Sequence, residues 1–223
     1  MSTFGRHALT GRSMLFYHPG MLPDFLHPYR EIQKHGDDLP HWQQGEAMQF
    51  VTFRLGDALP TFRIRQWKEQ RANWLSTYPK PWDAATEGEY HRRFSMALEY
   101  WLDDGHGSCL LKDPGKRDVL EGALMRFQNE RVVHEAWVIM PNHVHLLFKP
   151  LVPIEKLIQA WKAYSALHIG MGPIWQRNYR DTMIRDIDHF IRVVRYIRNN
   201  PMKAKLADGS FTLWEGERAR RIP

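Results

Sequence analysis

The strongest constraint on the fold is a twenty-residue stretch at positions 131–150, RVVHEAWVIMPNHVHLLFKP. Two runs rich in β-branched, aliphatic and aromatic residues flank the dipeptide Pro141–Asn142, and each run has the length of a strand. Pro and Asn interrupt regular structure and favour turns. The stretch therefore predicts a β-hairpin that must bury apolar side chains against the rest of the chain.

The segments around this hairpin predict the remaining elements of one domain. MQFVTFRL at 48–55 is typical of a strand, whereas residues before position 45 show no clear periodicity. Helical spacing of apolar residues predicts helices at 62–78, 87–102, 118–128, 154–169 and 186–199, with a short strand at 172–179. This order favours an α+β domain whose helices cover a mainly antiparallel sheet.

Composition narrows the class of protein. The chain has 223 residues, of which 43% are apolar, which suits one globular domain. No run approaches the roughly 20 apolar residues of a membrane span, and no secretory signal is evident at the start, so no membrane partner is expected. With Cys109 as its only cysteine, the chain is expected in the reducing cytoplasm. A net charge of +6, nine Trp and eight Tyr favour a nucleic-acid partner.

His143 and His145 form a candidate metal site within the second run of the hairpin. Alternate residues of a strand share a face, so both imidazoles point the same way, with Cα atoms about 6 to 7 Å apart. Two imidazoles at that spacing can bind one divalent ion, although two polar side chains on a half-solvated strand would show the same pattern. Neither HExxH nor CxxC occurs in the chain, so a third ligand must come from elsewhere.

Tyr196 is the candidate reactive side chain of the last predicted helix, IDHFIRVVRYIRNNP at 187–201. On a wheel of about 100° per residue it lies far from the apolar stripe and close to His189, Arg192 and Asn200. The stripe consists of Ile187, Phe190, Ile191, Val194 and Ile197. A purely structural tyrosine is the alternative. Asn200 comes one turn after Tyr196 and can face the same point. It also precedes Pro201, so a helix-ending role is equally open to it.

These motifs together resemble the single-tyrosine HUH transposases, in which H-U-H denotes two histidines around one hydrophobic residue. MPNHVHLL at 140–147 and RYIRNNPMKAKL at 195–206 carry the resemblance, and the REP-associated tyrosine transposases are the most similar branch. Further segments of the chain that resemble the family are 39–60, 101–113, 135–150, 160–170 and 174–186. The resemblance covers residues 39–206, with an N-terminal arm at 1–38 and a basic C-terminal tail at 207–223.

The resemblance implies a ferredoxin-like HUH fold and an enzyme that nicks and rejoins single-stranded, hairpin-bearing DNA. Tyr196 would attack a phosphodiester, which gives a 5′-phosphotyrosine and a free 3′-hydroxyl. His143, His145 and Asn200 would hold a divalent metal, Mg²⁺ or Mn²⁺. Members of the family act as monomers or as homodimers, with the tyrosine contributed in cis or in trans, and the sequence leaves that choice open.

Basic residues around the predicted tyrosine helix are expected to bind DNA phosphates. The candidates are Arg192, Arg195, Arg198 and Lys203, together with Lys162 on the preceding helix. Each of them alone could be an ordinary solvated charge. Two other functions also remain open: a DNA hairpin-binding protein that has lost its chemistry, and a metal-dependent phosphodiesterase in which Tyr196 is only structural.

Overall fold

The computed structural model describes residues 24–35 and 41–223, and its centre is a five-stranded antiparallel sheet. A separate two-stranded ribbon is formed by β1 (Gln33–His35) and β2 (His41–Gln43). The strands of the large sheet are β3 (Gln49–Arg54), β4 (Val132–Ile139), β5 (His143–Pro150), β6 (Arg180–Met183) and β7 (Thr212–Glu215). Most of the expected N-terminal arm, at 1–23 and 36–38, lies outside the described residues.

Seven α-helices lie among the described residues; the first six fill connections between strands, and α7 follows β7. They are α1 (Thr61–Thr77), α2 (Ala84–Tyr90), α3 (Met96–Asp103), α4 (Pro114–Met125), α5 (Ile154–Ile169), α6 (Ile187–Lys203) and α7 (Glu217–Arg220). A π-helical turn at His91–Ser95 joins α2 to α3. Asp113 caps the start of α4 by accepting a hydrogen bond from the backbone N–H of Lys116, and Pro114 occupies the first turn.

The strand order of the large sheet is β6–β3–β5–β4–β7. Without the added edge strand β7, the chain runs strand, helices, hairpin, helix, strand, and the strand order is β6–β3–β5–β4. The first of these strands, β3, therefore lies between the third and the fourth, β5 and β6, while the second, β4, lies at the edge. That arrangement is the ferredoxin-like split βαβ topology, so the predicted α+β fold with an antiparallel sheet is confirmed. None of the helices among the described residues is both long and apolar enough to cross a membrane.

Alternation along β5 divides its side chains between two cores. Val144, Leu146 and Phe148 pack with α4 and α5 on one face. Leu147 packs on the other face with α6, whose Phe190, Val194 and Ile197 are buried there. His143 and His145 have the same parity as Leu147, so both imidazoles lie on the face that α6 covers. The prediction that both imidazoles point the same way is therefore confirmed, and Val144 lies on the opposite face.

Three local predictions were wrong. The strand expected at 172–179 begins only at Arg180, because Ile174 and Trp175 turn inward to pack while Arg180–Met183 finds the register of β3. Pro201 does not end α6, which continues to Lys203, since a proline this close to the end of a helix removes only one backbone hydrogen bond. The stripe assigned to α6 also included Ile187, which is 48% exposed, while Val193 is buried instead.

The expected basic tail at 207–223 is built into the domain. Thr212–Glu215 pairs with β4 as an edge strand, and Trp214 stacks on Trp137 with ring centroids 5.9 Å apart. Arg117 fastens this segment from α4, since its guanidinium donates to the carbonyl of Gly209 and to the hydroxyl of Thr212. Packing against an indole in the core outweighs the polar composition that suggested a tail.

Candidate active site

The two histidines of β5 converge through their Nε2 atoms. His143 and His145 are fully buried, and their Nε2 atoms lie 3.0 Å apart. His143 pairs in register with Arg54 of β3, and His145 pairs with Thr52, so a neighbouring strand supports both positions. The pair is thus held by the sheet rather than by a loop, which gives the site a rigid base.

Polar neighbours bind the Nδ1 atoms of both histidines and so hold the orientation of the rings. Asn142 donates through Nδ2 to the carbonyls of Leu102 and His106, which orients its Oδ1 toward Nδ1 of His143 at 2.7 Å. Nδ1 of His143 must therefore carry the proton, and its Nε2 presents a lone pair. Nδ1 of His145 lies 2.8 Å from the hydroxyl of Thr52, which can donate or accept. Such outer hydrogen bonds are typical of metal-binding histidines.

Both imidazoles are held neutral. Burial lowers the pKa of His145 to about 3, and the nearby cations Arg180 and Lys203 add to the shift. Burial, followed by the neighbouring His145, lowers the pKa of His143 well below its ordinary value. Neutral imidazole is the form that binds metal ions, so the electrostatics of the pocket keep the pair in that form near neutral pH.

Tyr196 reaches this pair from α6. Its hydroxyl lies 3.4 Å from Nε2 of His145, in the same chain, and its ring meets Phe50 edge-on at 5.7 Å. Phe50 in turn stacks on the ring of His145 at 5.7 Å. The side chain that the sequence assigned to the polar side of α6 thus lies at the boundary between the helix and the sheet. The tyrosine that the resemblance assigns as the nucleophile thus lies beside the histidine pair of its own chain.

Glu99 of α3 is part of this site and was not predicted from the sequence. The hydroxyl of Tyr196 donates to Oε2 of Glu99 at 2.8 Å, while Arg180 of β6 donates to Oε1 at 2.7 Å. Oε2 of Glu99 also lies 3.9 Å from Nε2 of His145. Burial, followed by the charge of Glu99, raises the pKa of Tyr196 well above its ordinary value. The hydroxyl therefore keeps its proton until a base removes it.

Asn200 lies one turn beyond Tyr196 and is almost completely buried, at 1% exposure. Neither its Oδ1 nor its Nδ2 has a hydrogen-bond partner, although the side chain is close enough to lower the pKa of Tyr196 slightly. An unpaired buried amide costs on the order of 1–3 kcal/mol, so a partner is expected when the protein works. Among the described residues, no three His, Cys, Asp or Glu side chains are grouped so that they could hold a metal ion.

The predicted DNA-binding cations fall into two groups. Arg192 and Arg195 are exposed on α6, and Arg195 donates to the terminal carbonyl of Pro223 at 3.1 Å. Lys203 lies next to the site, paired with Asp103 at 3.0 Å and 5.9 Å from the ring centre of Tyr196. These three remain candidates for phosphate contacts.

Arg198 and Lys162 have protein partners instead. Arg198 bonds Glu215 and the carbonyls of Ala219 and Ile222, and so fastens the C-terminal segment to α6. Lys162 lies on the opposite face of the sheet, where it donates to the carbonyls of residues 176–178, and burial lowers its pKa to about 8. Both were predicted from the sequence to bind DNA, but these protein partners give each of them a structural role, so we expect neither to be required for DNA binding.

Substitutions at Arg198 and Arg192 distinguish a structural role from a DNA-binding role. Arg198→Ala is expected to lower the free energy of unfolding by about 1–3 kcal/mol, because Glu215 and two carbonyls lose a charged donor. Its affinity for DNA should stay unchanged. Arg192→Ala is expected to leave stability within about 0.5 kcal/mol and to weaken DNA binding and its salt dependence. Chemical denaturation and fluorescence anisotropy with labelled oligonucleotides measure both effects. Weaker DNA binding by a fully stable Arg198→Ala protein would contradict this assignment.

No protein-family model matches the chain, and none of the curated proteins does. A search of solved structures finds similarity to a chain described as "Structure of the REP associates tyrosine transposase bound to a REP hairpin". The TM-score is 0.46 at 15% sequence identity, over 77% of this chain and 76% of that chain.

Proposed function

We propose that this protein nicks and rejoins single-stranded DNA that carries hairpins, through a 5′-phosphotyrosine at Tyr196. The observation that carries the proposal is the convergence, within one chain, of the Tyr196 hydroxyl and the Nε2 atoms of His143 and His145. The type of substrate rests on the resemblance of the sequence motifs to the HUH transposases. The net charge of +6 is compatible with a polyanionic substrate.

A divalent ion, Mg²⁺ or Mn²⁺, belongs to the proposal. Two ligands at right angles on an ion with bonds of about 2.1 Å lie about 3.0 Å apart. The Nε2 atoms of His143 and His145 have that separation, 3.0 Å. Asn200, with its unpartnered buried amide, would supply the third ligand. When bound, such an ion polarises the phosphate and offsets the charge that develops in the transition state.

The residues of the chain account for the transfer itself. The Tyr196 oxygen forms a bond to phosphorus, and the bond from phosphorus to the 3′ oxygen breaks. The phenolic proton moves to Oε2 of Glu99, which already accepts it as a hydrogen bond at 2.8 Å. The leaving 3′ oxygen takes up a proton from water and becomes the free hydroxyl. Rejoining reverses these steps, so no external source of energy is required.

Arg180 positions the proposed base. Its guanidinium holds Oε1 of Glu99 at 2.7 Å, which directs Oε2 toward Tyr196. Lys203, near the ring of Tyr196, would also stabilise the phenolate electrostatically. Because tyrosine and histidines come from one chain, the proposed site can act in cis, and the number of subunits remains a prediction.

The proposal is tested by incubating the protein with Mn²⁺ and hairpin oligonucleotides that carry a label at either end. A covalent species that survives SDS is expected to retain the 3′-labelled fragment, while the 5′-labelled fragment is released with a free 3′-hydroxyl. Cleavage without a covalent species would favour the phosphodiesterase. Binding of hairpins without any cleavage would favour the inactive binding protein.

A further inference from the structure

A second site lies in the helices inserted between β3 and β4. A cavity of about 640 Å³ opens between α1 and the π-helical turn, a volume within the range of small-molecule sites. Its walls are Trp74, Tyr78 and Phe94, with Gln70, Asn73, Thr77 and Arg93 around them. We propose that this cavity binds one unpaired nucleobase of the DNA strand that Tyr196 attacks.

Aromatic walls beside exposed amides suit a base better than an aliphatic ligand. Trp74 and Phe94 are buried, at 7% and 4% exposure, whereas Tyr78 is 47% exposed and can cover a ligand from outside. The rings of Trp74 and Tyr78 contact each other, 4.7 Å apart at centroid and tilted by 33°, so they form one aromatic surface rather than a slot. Stacking on an aromatic surface, with polar groups at the base edge, is how proteins hold an unstacked base.

The polar groups of the cavity complete this chemistry. Gln70 and Asn73 can each both donate and accept, as the edge of a base requires. Arg93 donates one N–H to Glu89, at 2.6 Å. A guanidinium has five N–H groups, so others are left to donate to a ligand. None of the seven lining residues is acidic, so the phosphates flanking a bound base meet no fixed negative charge within the cavity.

The helix that forms one wall is mostly exposed. Of the seventeen residues of α1, only Trp74 is buried, and Ile64 packs partly buried against a core cluster. It carries four cations, Arg63, Arg65, Lys68 and Arg71, against one carboxylate, Glu69. A mostly exposed, basic helix beside an aromatic cavity fits a strand of nucleic acid.

One helical run joins the cavity to the proposed active site. Phe94 and Glu99 belong to one continuous helical run, five residues apart, which corresponds to about 7.5 Å along the axis. Arg180, which holds Glu99, also lies 3.4 Å from the carbonyl of Ser95. A nucleobase bound against Phe94 would therefore belong to the same DNA strand as the phosphate that Tyr196 attacks. π-Helical turns such as His91–Ser95 are frequent at functional sites.

This inference rests on the proposed function only in taking single-stranded DNA as the ligand, and its test needs no cleavage. Anisotropy in EDTA would compare a labelled hairpin that has a single-stranded flank of about ten nucleotides with the same hairpin lacking the flank. The variants are Tyr78→Leu, which keeps apolar bulk but removes the ring, and Asn73→Ala. Gln66→Ala, on the same helix but outside the cavity, is the matched control, and thermal unfolding checks that each variant folds.

Tyr78→Leu is expected to bind the flanked hairpin about tenfold more weakly, with no change for the hairpin alone. One abasic position in the flank should weaken the unsubstituted protein similarly and have no further effect on Tyr78→Leu, since both changes remove the same contact. Equal affinity of Tyr78→Leu and Gln66→Ala for the flanked hairpin would overturn the inference. So would an equal loss with the hairpin alone, or no effect at any abasic position. Covalent transfer at Tyr196 is scored separately, so either idea can fail without the other.

Discussion

Tyr196→Phe is expected to abolish the covalent DNA species, with a loss of at least about a thousandfold, while hairpin affinity stays unchanged. The substitution removes the only atom that can bond to phosphorus, and loss of a nucleophile costs as much as or more than this in enzymes that form covalent intermediates. The ring itself should stay in place, because it packs edge-on against Phe50. Gel electrophoresis in SDS after incubation with Mn²⁺ and a 3′-labelled hairpin measures the effect.

Tyr100→Phe is the matched control for this substitution. Tyr100 lies on α3 next to Glu99, and its ring centre is 4.6 Å from the Lys203 ammonium, so it is a second phenol near the site. It is 49% exposed, and its hydroxyl would have to leave that position to reach the histidines. The variant should form the covalent species normally. A species that survives Tyr196→Phe but disappears in Tyr100→Phe would move the nucleophile to α3 and refute the assignment.

The hairpin and its histidines could be predicted because their signals are local. Two β-rich runs around Pro141–Asn142 set the strands, and the period of two along β5 sets the shared face of His143 and His145. The bounds of α5, Ile154–Ile169, also follow from local signals, since Gly170 ends that helix in a left-handed conformation. The link from these histidines to Tyr196 came from family resemblance, because no local pattern joins positions 51 residues apart.

The surroundings of the site were not predictable in the same way. Glu99 lies 97 residues before Tyr196, and Thr52 lies 93 residues before His145, on elements that meet only in the finished fold. Nothing in the neighbouring sequence separates Glu99 from other acidic residues on exposed helices. The C-terminal segment was predicted wrongly for a related reason. Its three arginines are matched by three acidic residues, and nothing in its local composition shows that Trp214 stacks on Trp137 or that Phe211 and Leu213 pack against the core.

Removing divalent ions is the second change with a large expected effect. In EDTA the covalent species should fall by at least about a hundredfold, because the proposed transition-state charge loses its counter-ion. The same ion should stabilise the folded chain. At a Mn²⁺ concentration about 100 times Kd, binding adds about 2.7 kcal/mol to the free energy of unfolding, or about 5 to 10 °C in Tm. Thermal unfolding with and without Mn²⁺ measures this without any DNA.

Two variants assign the ligands. His145→Ala should lose both the Mn²⁺-dependent rise in Tm and the covalent species, because the Nε2 pair is broken. Asn200→Leu should lose most of the rise, yet in EDTA it should be at least as stable as the unsubstituted chain, because an unpaired buried amide is replaced by an apolar side chain of similar shape. A full Mn²⁺ response in Asn200→Leu would exclude Asn200 as a ligand. Glu99, whose Oε2 is 3.9 Å from Nε2 of His145, would then be the donor to test next.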